Sequence, residues 1–264
     1  MKGVDSEKVP RHQIKFKVHS YEAGPDGRIR LASYLNYFQE AAGEHAAILG
    51  VSVTDLLAKS LTWVISRYHV RIWRYASWTE TVSLTTWPSG LKNFFALREF
   101  EASDEQGRPI AAATSSWMMI DLKTKRPVPP KENLPAFAQD PRRAVSDAFE
   151  PLPMIEKRDH ELAFAVRKHD LDWNRHVNHV VYVEWAVETP SLDLLENYLP
   201  FEVEVDYRGE AFFGETVSSR VEYLLGGKKP LLLHQIVRES DQKEFARLRT
   251  QWQHQKDFEE RRHD

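Results

Sequence analysis

Residues 31–49, LASYLNYFQEAAGEHAAIL, place apolar side chains at Leu31, Leu35, Phe38, Ala42 and Leu49, three, four or seven positions apart. That spacing lines one face of a helix, and Gly50 supplies a stop, so a buried helix is predicted here. Between 61 and 120 the chain is rich in Trp, Val, Ile and Thr, which predicts several strands. Pro88-Ser89-Gly90 and Asp104-Glu105-Gln106-Gly107 read as the turns between them. The second half repeats this order. His176 to Glu188 is a helix candidate, and Thr189-Pro190 reads as a cap and first-turn proline opening a further helical piece toward Tyr198. Phe201, Val203, Val205 and Tyr207 then alternate with Glu202, Glu204, Asp206 and Arg208. Val217, Ser219, Val221, Tyr223 and Leu225 alternate with Ser218, Arg220, Glu222 and Leu224. Period two predicts a sheet with one buried face.

Between the halves, residues 121–160 carry prolines at 127, 129, 130, 135, 141, 151 and 153, with charges between them. Proline at that density blocks helix and ladder pairing, which predicts an extended or linking segment. The expected organisation is a first module over 11–135, a Pro-rich linker over 136–160 and a second module over 161–255. An internal duplication follows from the repeated order of elements. Glu80-Thr81-Val82-Ser83 recurs 135 positions later as Glu215-Thr216-Val217-Ser218, and Trp117 and Trp252 share that spacing. Near the helices a spacing of 146 pairs Asp26 with Asp172 and Leu31 with Val177. The extra residues of the first half then fall near Val51–Ser60.

Cysteine is absent, so disulfides, thiolate metal sites and a cysteine nucleophile are excluded together. A net charge of −3 argues against a nucleic-acid partner. No run approaches the roughly 18 apolar residues of a membrane span, so no membrane partner is expected. The first residues, MKGVDSEKVPRHQIKF, lack an apolar signal core, which makes a cytoplasmic protein the expectation.

Candidate chemistry concentrates in one place. Asp170 to His179, DLDWNRHVNH, crowds polar groups ahead of an apolar helix. A helix start offers unpaired N–H groups and partial positive charge, which would stabilise an oxyanion. Asp172, Asn174 and His176 add a carboxylate, an amide and an imidazole, and with no thiol available a carboxylate that activates water is the natural choice. The same residues also suit an ordinary helix cap. His176 and His179, three apart, could hold a metal with Asp172, but the set matches no recognised site. No G-x-S-x-G elbow occurs. Gly226-Gly227-Lys228 lacks the first Walker glycine and reads as a hairpin turn, so no cofactor is expected. His45 falls on the apolar side of the first helix and reads as core.

The run from Asp170 to Pro190, with Tyr182, Trp185 and Glu188-Thr189-Pro190, resembles the D-x-D-x-N-x-H-V-N-N signature of plant and bacterial acyl-ACP thioesterases. Leu61 to Arg67 resembles the family's L-x-W-V-V-x-R strand, Arg74-Tyr75 with Trp78 its R-Y-P-x-W turn, and Ser116 to Ile120 its S-x-W-V-M-M strand. Tyr34 to Glu40 resembles the family's helix ending in Leu-Gln-Glu. Ala76 stands where that turn has Pro, and His179 where the signature ends in Asn. The resemblance spans roughly 14–255. It implies an α+β fold of two tandem hot-dog modules, each a long helix wrapped by a curved antiparallel sheet.

What the resemblance implies for chemistry is an acyl-ACP thioesterase, with an acyl carrier protein bearing a fatty acyl thioester as partner and a homodimer as a possible assembly. Its catalytic residues fall on Asp172, Asn174, His176 and, from an E-Y-R-R-E-C run, Glu210. Here that run reads D-Y-R-G-E-A, with Gly209 for Arg and Ala211 for Cys. Whether Asp172 or Glu210 activates water stays open. The first module is expected to set acyl-chain specificity. Alternative functions are an acyl-CoA thioesterase, an enoyl-thioester hydratase or a non-catalytic acyl-thioester sensor. Lys123, Lys125, Arg126, Arg142 and Arg143 form a basic run that could meet an acidic carrier or be simply solvated.

Overall fold

The computed structural model describes residues 11–224, 227 and 229–260. In chain order the elements are β1 (His12–Lys17), α1 (Leu31–Ile48), α2 (Val53–Leu57), β2 (Leu61–Ile72), β3 (Thr81–Lys92), β4 (Phe95–Ser103), β5 (Pro109–Asp121), β6 (Arg126–Val128) and α3 (Pro130–Asn133). Then follow β7 (His160–Ala165), α4 (His179–Glu188), α5 (Leu192–Asn197), β8 (Tyr198–Tyr207), β9 (Thr216–Leu224), β10 (Leu231–Arg238), β11 (Glu244–His254) and α6 (Gln255–Glu260). The chain forms two compact units. The first takes the chain up to Ser66 and again Ala76–Ser146. The second takes Arg67–Tyr75 and the chain from Asp147 onward.

In the first unit the strand order is β1-β3-β4-β5, then the first half of β2, with β6 on β5. Pairings β1–β3, β3–β4, β4–β5 and β5–β6 are antiparallel. The helix is α1, whose buried face is Leu31, Tyr34, Leu35, Phe38, Ala41, Ala42 and His45. Phe38 stacks on Phe100 of β4 at 5.1 Å, and burying such a ring contributes about 1.5–3 kcal/mol. Gly50 ends the helix at φ 68°, with its own N–H on Ala47 O (3.1 Å) and the Val51 N–H on Ala46 O (2.9 Å), a Schellman close. His45 is core as expected. Its Nδ1 lies 3.1 Å from Arg98, and burial, then the Arg98 charge, lower its pKa to about 4.

In the second unit the order is the second half of β2, then β8-β11-β10-β9-β7, and its pairings are antiparallel. Its helix α4 buries Val180, Val181, Tyr182, Val183, Trp185 and Ala186. Each unit is thus a helix against an antiparallel sheet, the α+β hot-dog arrangement.

Several local expectations are corrected. Helix α4 begins at His179, not His176, because the Asn178 side chain accepts from the Val180 N–H (3.0 Å) and is the N-cap. Thr189 closes α4, its hydroxyl donating to Trp185 O (2.7 Å), and Ser191 rather than Thr189-Pro190 stands before α5. Pro88-Ser89-Gly90 is no turn. It is an irregularity inside β3, where β1 pairs only as far as Thr86, so a proline there removes no ladder bond on that side. The connection to β4 runs through Asn93 at φ 53°. The Pro-rich region holds β6 and α3 before it becomes extended.

One-sided burial fails on β8 and β9. Glu202 and Asp206 are buried because Arg71 and His69 hold the first, and Arg67 and Arg208 the second. In β9, Arg220 pairs with Glu161 at 2.7 Å, and Glu222 accepts the Glu156 N–H at 2.6 Å, so β7 and the segment before it cover the second face. Leu225, Gly226 and Lys228 lie outside the described residues.

The duplication is borne out bond for bond, with a corrected register. Val18 N–H to Glu80 O and Val166 N–H to Glu215 O are both 2.9 Å. The Ala76 N–H donates to the Tyr34 hydroxyl (3.0 Å) as the Ala211 N–H does to Tyr182 (2.8 Å). Ser77 N–H to Glu80 (2.9 Å) matches Phe212 N–H to Glu215 (2.9 Å). Trp117 donates to Ser115 as Trp252 does to Thr250. Near the helices the spacing is therefore 148, not 146. Asp172 corresponds to Gly24, Asn174 to Asp26, and His176 to Arg28. The extra residues of the first unit lie between helix start and strand, where α1 has 18 residues against 10 in α4 and α2 is added.

The matched turns test a backbone argument. Gly27 has φ 73°, and its counterpart Arg175 has φ 67°. A Cβ on Gly27 would meet nothing within 4 Å, so only backbone strain opposes it. Gly27→Ala is expected to destabilise by about 1 kcal/mol, read as a lower urea midpoint. An unchanged midpoint would remove the strain from the account.

Candidate active site

The site is built on a tight turn ahead of α4. Asp172 Oδ1 accepts from the Asn174 N–H (2.8 Å) and the His176 N–H (3.2 Å). Asp172 N–H reaches His176 O (2.8 Å), and Arg175 N–H returns to Asp172 O (3.0 Å). A carboxylate that collects two backbone N–H groups fixes the loop by charge-assisted hydrogen bonds. The polar cluster thus precedes the helix rather than forming its first turn, which corrects the expected helix-start geometry. Leu171 and Val177 pair across the turn, and His176 pairs with Phe212 of the segment after β8.

That second pairing brings Glu210 to the turn. His176 Nδ1 lies 3.3 Å from Glu210 Oε1, with the two side chains 35% and 48% exposed. The imidazole also meets the Phe212 ring edge at 5.1 Å. Asn174 is exposed on the same turn. The structure therefore brings Asp172, Asn174, His176 and Glu210 together, with Asp172 holding the backbone and His176 facing Glu210. A water near Glu210 would meet a carboxylate able to take a proton and an imidazole able to hydrogen-bond a carbonyl.

The departures near Glu210 have local reasons. Gly209 sits where a Cβ would lie 3.1 Å from the Phe245 ring and 3.2 Å from Glu244 O, so a side chain there would require these neighbours to give by a few tenths of an ångström. Ala211 is fully buried, its N–H on Tyr182 and its carbonyl accepting from the Val177 N–H at 3.0 Å. Burial, then the Glu210 charge among others, raises the Tyr182 pKa, so its phenol stays protonated. Large apolar groups stand exposed on both segments, Trp173 at 73% and Phe213 at 65%. Tyr182 belongs to the signature run, whereas Phe212 and Phe213 carry no such signal in the sequence. Their place two and three residues after Glu210 is the one pointer the sequence offers.

The basic run falls into two parts. Arg142 makes a two-pronged pair with Glu101 and covers Trp87 at 4.3 Å, and Arg143 reaches the buried Glu99 at 2.9 Å. Lys123, Lys125 and Arg126 are exposed.

Away from the turn, His69, Glu202 and Glu204 are the one group among the described residues that places three possible metal-ligand side chains together, their atoms within 4.8 Å. Both ring nitrogens of His69 already contact carboxylates, Asp147 and Glu202, at 2.8 Å each. Arg71 and Arg249 neutralise Glu202 and Glu204. This is an ion-pair network with the imidazolium at its centre. No helix among the described residues is long and apolar enough to cross a membrane.

Relatives carry the same architecture. Residues 10–136 match the acyl-ACP thioesterase N-terminal domain, and residues 155–254 match the acyl-ACP thioesterase C-terminal domain. The chain is 29% identical over 256 residues to the chloroplastic palmitoyl-acyl carrier protein thioesterase of Cuphea hookeriana, covering 90% of this chain and 61% of that protein. It is 27% identical over 261 residues to the chloroplastic dodecanoyl-[acyl-carrier-protein] hydrolase of Cinnamomum camphora, covering 90% and 66%. The chain thus spans less than two thirds of the length of these relatives. Among solved structures, the 12:0-ACP thioesterase of Umbellularia californica superposes with a TM-score of 0.82 at 26% identity, covering 93% of this chain and 94% of that one. An acyl-ACP thioesterase from Bacteroides thetaiotaomicron gives 0.81 at 20% identity, covering 92% and 98%, which speaks to fold alone. With two tandem family domains matched over most of its length, on a duplicated fold whose second half holds the signature turn, this chain belongs to the acyl-ACP thioesterase family.

Proposed function

We propose that this chain hydrolyses a fatty acyl thioester on an acyl carrier protein, releasing free fatty acid and the carrier's thiol. The observation that carries the reading is the His176–Glu210 contact at 3.3 Å on a turn that Asp172 holds, in a chain without cysteine. Glu210 takes a proton from water as its oxygen attacks the thioester carbonyl. The tetrahedral oxyanion is met by the Asn174 amide and the His176 imidazole. Collapse breaks the carbon–sulfur bond, and the proton on Glu210 returns to the departing thiolate. Asp172 acts through the turn and through its negative charge. Exposed Trp173 and Phe213 suit an apolar substrate. The first unit has Gly24, Asp26 and Arg28 at the matching turn, and that lack of the His–Glu pair supports giving it acyl-chain specificity.

Free-thiol release from acyl-ACP and from acyl-CoA, across chain lengths and with chelator present, tests the reading. Release from acyl-ACP at the higher kcat/KM is expected. No release from either carrier, with water added instead to a 2-enoyl thioester, would replace hydrolysis by hydration.

A further inference from the structure

The two matched turns share a backbone and differ in two side chains that the site does not explain. Each turn is closed by the same bond, Gly27 N–H to Gly24 O and Arg175 N–H to Asp172 O, both 3.0 Å. In the first unit the turn reads Gly24-Pro25-Asp26-Gly27, with proline second and glycine last, the residues such a turn favours. In the second unit it reads Asp172-Trp173-Asn174-Arg175. Asp172 and Asn174 have places in the site, whereas Trp173 and Arg175 have none so far. Arg175 holds φ 67°, a left-handed conformation that glycine adopts freely and that is costly for any larger residue. No contact inside the protein offsets that cost. The Arg175 side chain is exposed and, among the described residues, makes no hydrogen bond or ion pair. Trp173 is 73% exposed and stacks on no other described ring.

Asn174 and His176 flank Arg175 in the chain, so its open side chain stands beside the reacting carbonyl. A fatty acyl thioester leads away from that carbonyl in two directions. The alkyl chain must leave water, so an exposed and charged turn tip does not suit it. The pantetheine arm runs back to solvent and ends in a phosphate. From a carbonyl held by His176, one Cα step of about 3.8 Å and an extended arginine let the guanidinium stand as far as roughly 18 Å away, and an arm of about fourteen bonds extends to roughly 17 Å. A guanidinium meets phosphate through two parallel N–H groups. We infer that Arg175 is a specificity-determining residue whose guanidinium binds the phosphate at the end of the substrate's pantetheine arm, with Trp173 covering the arm's methylene and methyl groups. Carrier-bound and CoA-bound thioesters share that phosphate, and acyl-pantetheine lacks it. The inference rests on the thioesterase reading above and deepens it.

The test measures kcat and KM for one acyl group carried on pantetheine, 4′-phosphopantetheine, CoA and ACP, in the wild type, Arg175→Gly, Arg175→Lys and Trp173→Ala. The wild type is expected to prefer acyl-phosphopantetheine over acyl-pantetheine by about tenfold or more in kcat/KM, the worth of a charge-assisted hydrogen bond, with the difference in KM. Arg175→Gly should bring that ratio near one without lowering the melting temperature, because glycine suits the turn. Arg175→Lys should keep part of the preference. Trp173→Ala should raise KM for every pantetheine thioester and leave the phosphate ratio in place, and an unchanged KM would remove Trp173 from the arm. A wild-type ratio of one, or the same ratio in Arg175→Gly, overturns the inference and leaves the hydrolase reading standing. An Arg175→Gly loss confined to acyl-ACP also overturns it and gives the residue to the carrier's own acidic surface. Hydrolysis of no thioester at all overturns both.

Discussion

Glu210→Gln is expected to lower turnover of acyl-ACP by about 10²–10⁴, the usual loss when an acid–base group is removed, or roughly 3–5 kcal/mol of barrier. Its carboxylate is half exposed and contacts His176, so the melt should barely move. Asp172→Asn is the companion. The new amide oxygen can still accept from the Asn174 and His176 N–H groups, so the turn persists while the negative charge goes. A folded enzyme slowed by about 10² or more is expected. Asp26→Asn is the control. Asp26 accepts the Arg28 N–H at 3.0 Å in the first unit, where the matched turn has no His–Glu pair, and turnover should stay near normal. Near-normal rates in Glu210→Gln, or equal losses in all three, would remove the site from residues 172–210.

The second large effect is on stability against pH. Burial alone would lower the His69 pKa, but hydrogen bonds to Asp147 and Glu202, with the Glu204 and Asp147 charges, outweigh it and raise it from 6.5 to about 9. Arg71 and Arg249 complete the surroundings by pairing with Glu202 and Glu204. A raised folded-state pKa means the native state binds the proton more tightly. The stabilisation is full below about pH 6.5 and is lost as pH rises through about 9. The span corresponds to about 3 kcal/mol at 1.36 per unit, with His69 only 5% exposed. Urea midpoints at pH 6, 7.5 and 9.5 should fall steeply in the wild type and shallowly in His69→Leu. Parallel slopes in the two proteins would show that His69 does not carry the dependence.

Much of this protein was legible in its residues taken alone. The apolar spacing of 31–49 set one helix, because a helix face must be buried wherever it lies. The repeated Glu-Thr-Val-Ser run and paired tryptophans announced the duplication, and the signature turn marked Asp172, Asn174 and His176 within five residues. These are local facts, decided by period, turn chemistry and spacing. The tertiary structure alone decided what depends on a second strand or segment. Asn178, not Asp172, caps α4, because Asp172 spends its carboxylate on the N–H groups of its own turn. Glu202 and Asp206 go inside because arginines from β2 meet them across the sheet, which alternation along one strand cannot announce. Glu210 lies 34 positions beyond His176 in the chain, and only the pairing of His176 with Phe212 closes that distance to 3.3 Å. The register of the repeat lies two residues from the one that residue identity indicates, for the same reason: side-chain identity drifts between copies, while the backbone hydrogen bonds that define equivalence do not.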